Sequence, residues 1–108
     1  MQGHENTNAP SLLADRTRLM IMTTLAREND TITFVDLLAR LSLTKGNLSV
    51  HARKLEEAGL IEVDKRFVDR KPVTSYQCTE KGVTELKGYL ESIERLLTEA
   101  LGKKGTVK

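Results

Sequence analysis

The sequence predicts a mainly α domain with one small β-hairpin, an α+β arrangement. Apolar residues recur at three- and four-residue spacing in four separate segments, as amphipathic helices require. Two short stretches, residues 61–66 and 73–78, alternate apolar and polar side chains on either side of a turn-forming loop, which marks a hairpin. The last helical segment is much longer than the others and keeps a seam close to a heptad.

Each element follows from its residues. In residues 11–28, Leu12, Leu13, Leu19, Ile21, Met22 and Leu25 form a broad apolar helix face. Ser11, after Pro10, is a cap for this helix, and Asp15 is a second start; either side-chain oxygen can satisfy an orphaned backbone N–H. Residues 31–33 are briefly β-prone. Thr33 with Asp36 three residues later resembles a capping box opening a short helix, with Phe34, Leu37, Leu38 and Leu41 inward and Leu43 in the following turn. Thr44 caps the next helix, whose Leu48, Ala52 and Leu55 share one face; Gly59 supplies the left-handed residue that stops it. Ile61 and Val63 point inward in the first strand, and the loop 67–72 holds Pro72 at its edge because proline cannot donate to the ladder. Thr79 caps the last helix, which runs to about Leu101 along Val83, Leu86, Leu90, Ile93 and Leu97. At 1.5 Å per residue that helix is roughly 33 Å long.

The 108 residues fit one domain, read as residues 11–101, between a flexible lead at 1–10 and a flexible basic tail at 102–108. A net charge of +2 says little about partners, so the distribution of charge has to carry that argument. The single cysteine, Cys78, cannot form an internal disulfide and reads as a small buried hydrophobe in a cytoplasmic protein. No apolar run approaches the roughly 20 residues of a membrane span. One cysteine and two scattered histidines, His4 and His51, offer no metal-ligand spacing, and no phosphate loop or nucleophile elbow is present. Neither a metal, a cofactor nor an enzyme activity is expected.

Helix, tiny strand, helix, turn, helix, hairpin, long helix is the order of a winged helix-turn-helix with a long C-terminal dimerisation helix. On the stretches RTRLMIMTTLA (16–26), TFVDLLARLSLTKGNLSVHARKLEEAGLIEV (33–63) and DRKPVTSYQCTEKG (69–82), the chain resembles the winged-helix transcriptional regulators of the MarR/ArsR-like group, closest to small MarR-like prokaryotic ones. The resemblance covers residues 12–101 and implies double-stranded DNA as partner.

In such a domain the second helix of the helix-turn-helix lies in the major groove. The helix at 44–58 turns Lys45, Asn47, Ser49, Val50, Arg53 and Lys54 away from its apolar face. Asn47 suits adenine, Ser49 suits either partner, and Val50 suits a thymine methyl. Thr44 and Gly46 place backbone N–H groups where the helix dipole favours a phosphate. Glu56 and Glu57 are expected to point away from DNA. His51 lies at the border between core and groove; related regulators carry a Ser-x-His here near DNA, and a partly buried structural histidine is the alternative. The bland reading of the whole face is an ordinary solvated helix surface. Against it stands Gly46, since glycine in a helix costs about 1 kcal/mol relative to alanine. Lys65, Arg66, Arg70 and Lys71 against Asp69 give the wing a local charge of 4 − 1 = +3, suited to phosphates or a narrow minor groove.

The long helix exceeds what one small core covers. Leu12, Leu13, Leu86, Tyr89, Leu90, Ile93, Leu97 and Leu101 are therefore expected at a homodimer interface, which implies a pseudo-palindromic site with half-sites about 34 Å apart. Repression is the default expectation for a small promoter-bound dimer. Two alternatives stay open: a winged helix used as a protein-interaction module, and a regulator with a small-molecule effector pocket at the dimer interface.

Overall fold

The computed structural model describes residues 12–102. Its elements are α1 (Arg16–Glu28), β1 (Ile32–Thr33), α2 (Phe34–Leu41), α3 (Lys45–Glu57), β2 (Ile61–Val68), β3 (Lys71–Cys78) and α4 (Glu80–Leu101). The strands form one antiparallel sheet in the order β1-β3-β2. β1 pairs only Ile32 with Tyr76 and Thr33 with Ser75, whereas β2 and β3 pair over their full eight residues. This is a winged helix-turn-helix.

Side-chain caps start each helix. Asp15 accepts from the Arg18 amide at 3.0 Å, Thr33 from Asp36 at 3.1 Å, Thr44 from Asn47 at 3.1 Å and Thr79 from Gly82 at 2.9 Å. Each satisfies one of the four N–H groups that a helix start leaves free, typically worth about 1 kcal/mol. The end of α3 closes as a Schellman turn. Gly59 has φ 80, the Leu60 amide donates to the Leu55 carbonyl and the Gly59 amide to the Glu56 carbonyl. Leu60 is thereby folded back into the core.

The core lies between α1, α2, α3, the root of the sheet and the first turns of α4. Ile21, Met22, Leu25, Leu37, Leu48 and Leu55 are fully buried in it. Burying each such side chain is worth about 1.5–3 kcal/mol. Tyr76 closes one side, its ring 6.4 Å from that of Phe34.

α3 and α4 are fastened together where they meet. The Thr79 hydroxyl donates to the Gly59 carbonyl at 2.7 Å while accepting from Gly82, and Lys81 Nζ donates to the Ala58 carbonyl at 2.9 Å. A Cβ on Gly82 would sit 2.1 Å from the Leu60 carbonyl oxygen, so this crossing admits only glycine.

Beyond that junction α4 leaves the body. Leu86 is buried and Tyr89 packs against the core, but Leu90, Ile93, Leu96, Leu97 and Leu101 are each more than 40% exposed. The radius of gyration is 16.0 Å, against about 13 Å for a compact domain of this length. Among the described residues no helix is long and apolar enough to cross a membrane.

Of the two starts that the sequence offers for the first helix, Asp15 caps α1; Ser11 lies outside the described residues, as do the lead at 1–10 and most of the tail. Several expectations need correction. The capping box at α2 is half made: Thr33 caps, but the Asp36 carboxylate pairs with Arg40, which also bridges to Glu28. The hairpin is longer than the alternation suggested, with Phe67, Val68, Lys71 and Pro72 in the strands and only Asp69 and Arg70 in the turn. Pro72 fits because the pair flanking a two-residue turn carries the hydrogen bonds, leaving Phe67 and Pro72 a non-hydrogen-bonded pair. Leu13 and Leu86, expected at an interface between chains, are 0% and 7% exposed within one chain. The core of the single chain already covers them, and they offer no surface to a partner.

Candidate nucleic-acid interface

α3 buries Leu48, Ala52 and Leu55 and turns its other side to solvent. Thr44, Lys45, Gly46, Asn47, Ser49, Val50, Arg53 and Lys54 are all exposed. A Cβ at Gly46 would meet nothing within 4 Å, so the fold does not ask for glycine there. Residue 46 lies in the first turn of α3, at the positive end of the helix dipole. His51 is different: its side chain is only 18% exposed and its Nδ1 faces α1, 3.0 Å from Arg18 Nη1.

The wing divides its charges between two faces. Val63 and Lys65 line a cavity of about 210 Å³ together with Ser49, Arg53, Glu56 and Tyr76, so this face of the ribbon looks toward α3. Alternation along β2 puts Phe67 on the same face, opposite Pro72, where it is 74% exposed. Arg66 lies on the other face and is held by Asp64 at 2.6 Å. That pairing raises the Arg66 pKa further, through the hydrogen bond first and the charge second. Sequence position alone had grouped Lys65 with Arg66; the pleat separates them. Glu56 lines the cleft between α3 and the wing, together with Arg53 and Lys65. Burial, and to a lesser degree the Glu56 charge, raise the pKa of the Tyr76 phenol. Burial likewise raises that of the Cys78 thiol, which keeps it an unreactive neighbour of the core.

At the wing tip Asp69 and Arg70 both have positive φ, 52 and 69, as a type I′ turn demands. Asn-Gly is the favoured pair there. An arginine in the left-handed region costs about 1–2 kcal/mol relative to glycine. The tip therefore carries Arg70 and Lys71 exposed, Arg70 in a conformation that arginine does not prefer.

Two features of the interface were invisible in the sequence. Phe67 was read as loop, yet it is an exposed aromatic on the α3-facing side of the wing. Arg18 carries no assignment from the sequence, yet it reaches the helix that carries Asn47. Both depend on contacts between elements, and no local pattern announces them.

A winged helix with an open, basic second helix and a charged wing has the form of a DNA-binding head. Comparison with known proteins agrees. The family model described as winged helix DNA-binding domain matches residues 17–97, and the chain belongs to that family. The transcriptional regulator homologue of Pyrococcus horikoshii OT3 is similar in structure, with a TM-score of 0.79, 31% identity, and coverage of 94% of this chain and 99% of that one. A MarR-family transcriptional regulator of Enterococcus faecalis V583 shares the fold at a TM-score of 0.74 and 22% identity, covering 99% of this chain and 94% of its own. An uncharacterised protein of Methanocaldococcus jannaschii is 39% identical over 57 residues, which is 53% of this chain; the matched stretch spans 62% of that relative's length. The family is described as a DNA-binding domain, and these two structural relatives as transcriptional regulators.

Proposed function

We propose that this protein regulates transcription by binding a specific duplex DNA sequence as a homodimer, with repression as its default action. Residues 11–101 act as one unit in this reading: α3 reads bases in the major groove, and the wing grips the backbone through Lys65, Arg70 and Lys71. The observation that carries it is Gly46. The chain places a helix-weakening residue in the first turn of α3, at a point where its own fold leaves open space. A phosphate approaching the helix start closely accounts for that choice.

The dimer rests on the outer half of α4. Five large apolar side chains there, Leu90, Ile93, Leu96, Leu97 and Leu101, are 41–59% exposed, and such a surface is costly on a monomer. Two copies meeting along this helix would present two α3 helices to successive turns of one DNA face.

The testing experiment is selection of bound duplexes from a randomised pool, followed by affinity measurements on the winner and a scrambled duplex at 50 and 200 mM salt. A palindromic winner that loses affinity by about 10³-fold or more across that range is expected. Binding that ignores sequence would remove the regulator reading, and no binding at all would favour a protein-interaction module. On the selected duplex, Asn47→Ala is expected to cost about 1–3 kcal/mol and to leave random DNA unaffected. Leu97→Asp is expected to give a monomer by sedimentation; an intact dimer would place the interface elsewhere.

A further inference from the structure

Among the described residues one polar cluster ties α1 to the middle of α3. Arg18 Nε donates to the Leu12 carbonyl at 2.7 Å, and Arg18 Nη1 lies 3.0 Å from His51 Nδ1. Asp15 accepts from the Arg18 amide at 3.0 Å, and its Oδ1 is 3.9 Å from His51 Nδ1, beyond hydrogen-bond reach. The arrangement has one chemical solution. A guanidinium has five donors and no acceptor, so Nδ1 must offer its lone pair to Arg18. The imidazole proton then sits on Nε2.

That nitrogen is open. Among the described residues no buried side-chain polar atom lacks a hydrogen-bond partner and Nε2 makes no hydrogen bond, which leaves it to solvent. His51 follows Asn47 by four residues and precedes Lys54 by three, but it also follows buried Leu48 by three and precedes buried Leu55 by four, so it stands at the border between the core face and the exposed face of α3. A solvent-reaching Nε2–H at that border adjoins the edge of the face assigned above to DNA.

We propose that Arg18 is a positioning residue for DNA recognition: by occupying Nδ1 it leaves the His51 ring a single donor, Nε2–H, to offer to an acceptor on the duplex. The proposal rests on the reading of α3 as the DNA-contacting helix. It makes the start of α1 part of the recognition apparatus, although α1 itself touches no base. An arginine that only stapled two helices together would leave the ring free in its choice of tautomer and would add its effect independently of His51.

Two measurements test this on the full chain. The first is the long-range ¹H–¹⁵N spectrum of the histidines in mildly alkaline buffer, with His51→Ala identifying the residue-51 signals. The wild type is expected to show one pyridine-like nitrogen at Nδ1 and one protonated nitrogen at Nε2. Arg18→Met is expected to bring the two shifts together as the tautomers mix. A wild-type ring protonated at Nδ1, or already mixed, would overturn the proposal without any variant having to fold. The second is affinity for the selected duplex. Arg18→Met and His51→Ala are each expected to weaken it about tenfold, and the double variant no further than either alone. Losses that multiply would mean that Arg18 does not act through His51. A wild type that binds no duplex would defeat the DNA reading and the recognition half of this proposal together, while the spectrum would still decide whether Arg18 sets the tautomer.

Discussion

The junction between α3 and α4 and the exposed start of α3 each hold a glycine, and the two glycines do opposite things. At the junction, Gly82 lets the Leu60 carbonyl approach to where a Cβ would stand, and Thr79 and Lys81 fasten the same crossing. Every residue there serves the fold. At the start of α3, Gly46 faces open space and weakens its helix, and Arg70 at the wing tip sits in a left-handed conformation better suited to glycine. Glycine is found where the fold would accept alanine, and arginine where it would prefer glycine. Local choices that oppose the fold mark residues selected for something outside it.

Substitutions can break this contrast. The largest effect is expected at the junction: Gly82→Ala should destabilise the chain by roughly 3 kcal/mol, because the clash is with backbone and cannot be relieved by a side-chain turn. Chemical denaturation measures it, and a loss under 1 kcal/mol would mean that the crossing is looser than described. The same change at residue 46 should act in reverse. Gly46→Ala is expected to stabilise by up to about 1 kcal/mol while weakening DNA binding. Greater stability with unchanged affinity would return Gly46 to the ordinary surface. Smallest in stability, Arg70→Gly should add about 1 kcal/mol and lower the salt slope of binding by about one, the signature of one lost phosphate contact. An unchanged slope would show that Arg70 meets no phosphate.

How far the sequence could be read depended on the distance over which each interaction acts. Caps at Thr33, Thr44 and Thr79 and the stop at Gly59 are legible, since each is decided by hydrogen bonds within a few residues. The apolar period also located Leu48, Ala52 and Leu55 and so the exposed side of α3. The wing was legible in part. Alternation was lost at Phe67, and a turn of Asp-Arg carries none of the Asn-Gly signal that would have extended the strands. What escaped entirely joins residues far apart in the chain: Leu60 with Gly82, Arg18 with His51, and the closing of the core over Leu13 and Leu86. Periodicity can say that a side chain faces inward; it cannot say whether its own chain or a second copy will cover it.

The bare outer half of α4 has one more consequence. Beyond Tyr89 no described residue of the helix belongs to the core, so changes there leave the free energy of the folded head nearly untouched. In the proposed dimer, the surface that selects a companion and the surface of α3 that faces outward can then drift independently. After a gene duplication, a few substitutions between Leu90 and Leu101 would be enough to stop two sister proteins from mixing, while each kept its head intact. A chain built this way carries its own means of insulation from its relatives.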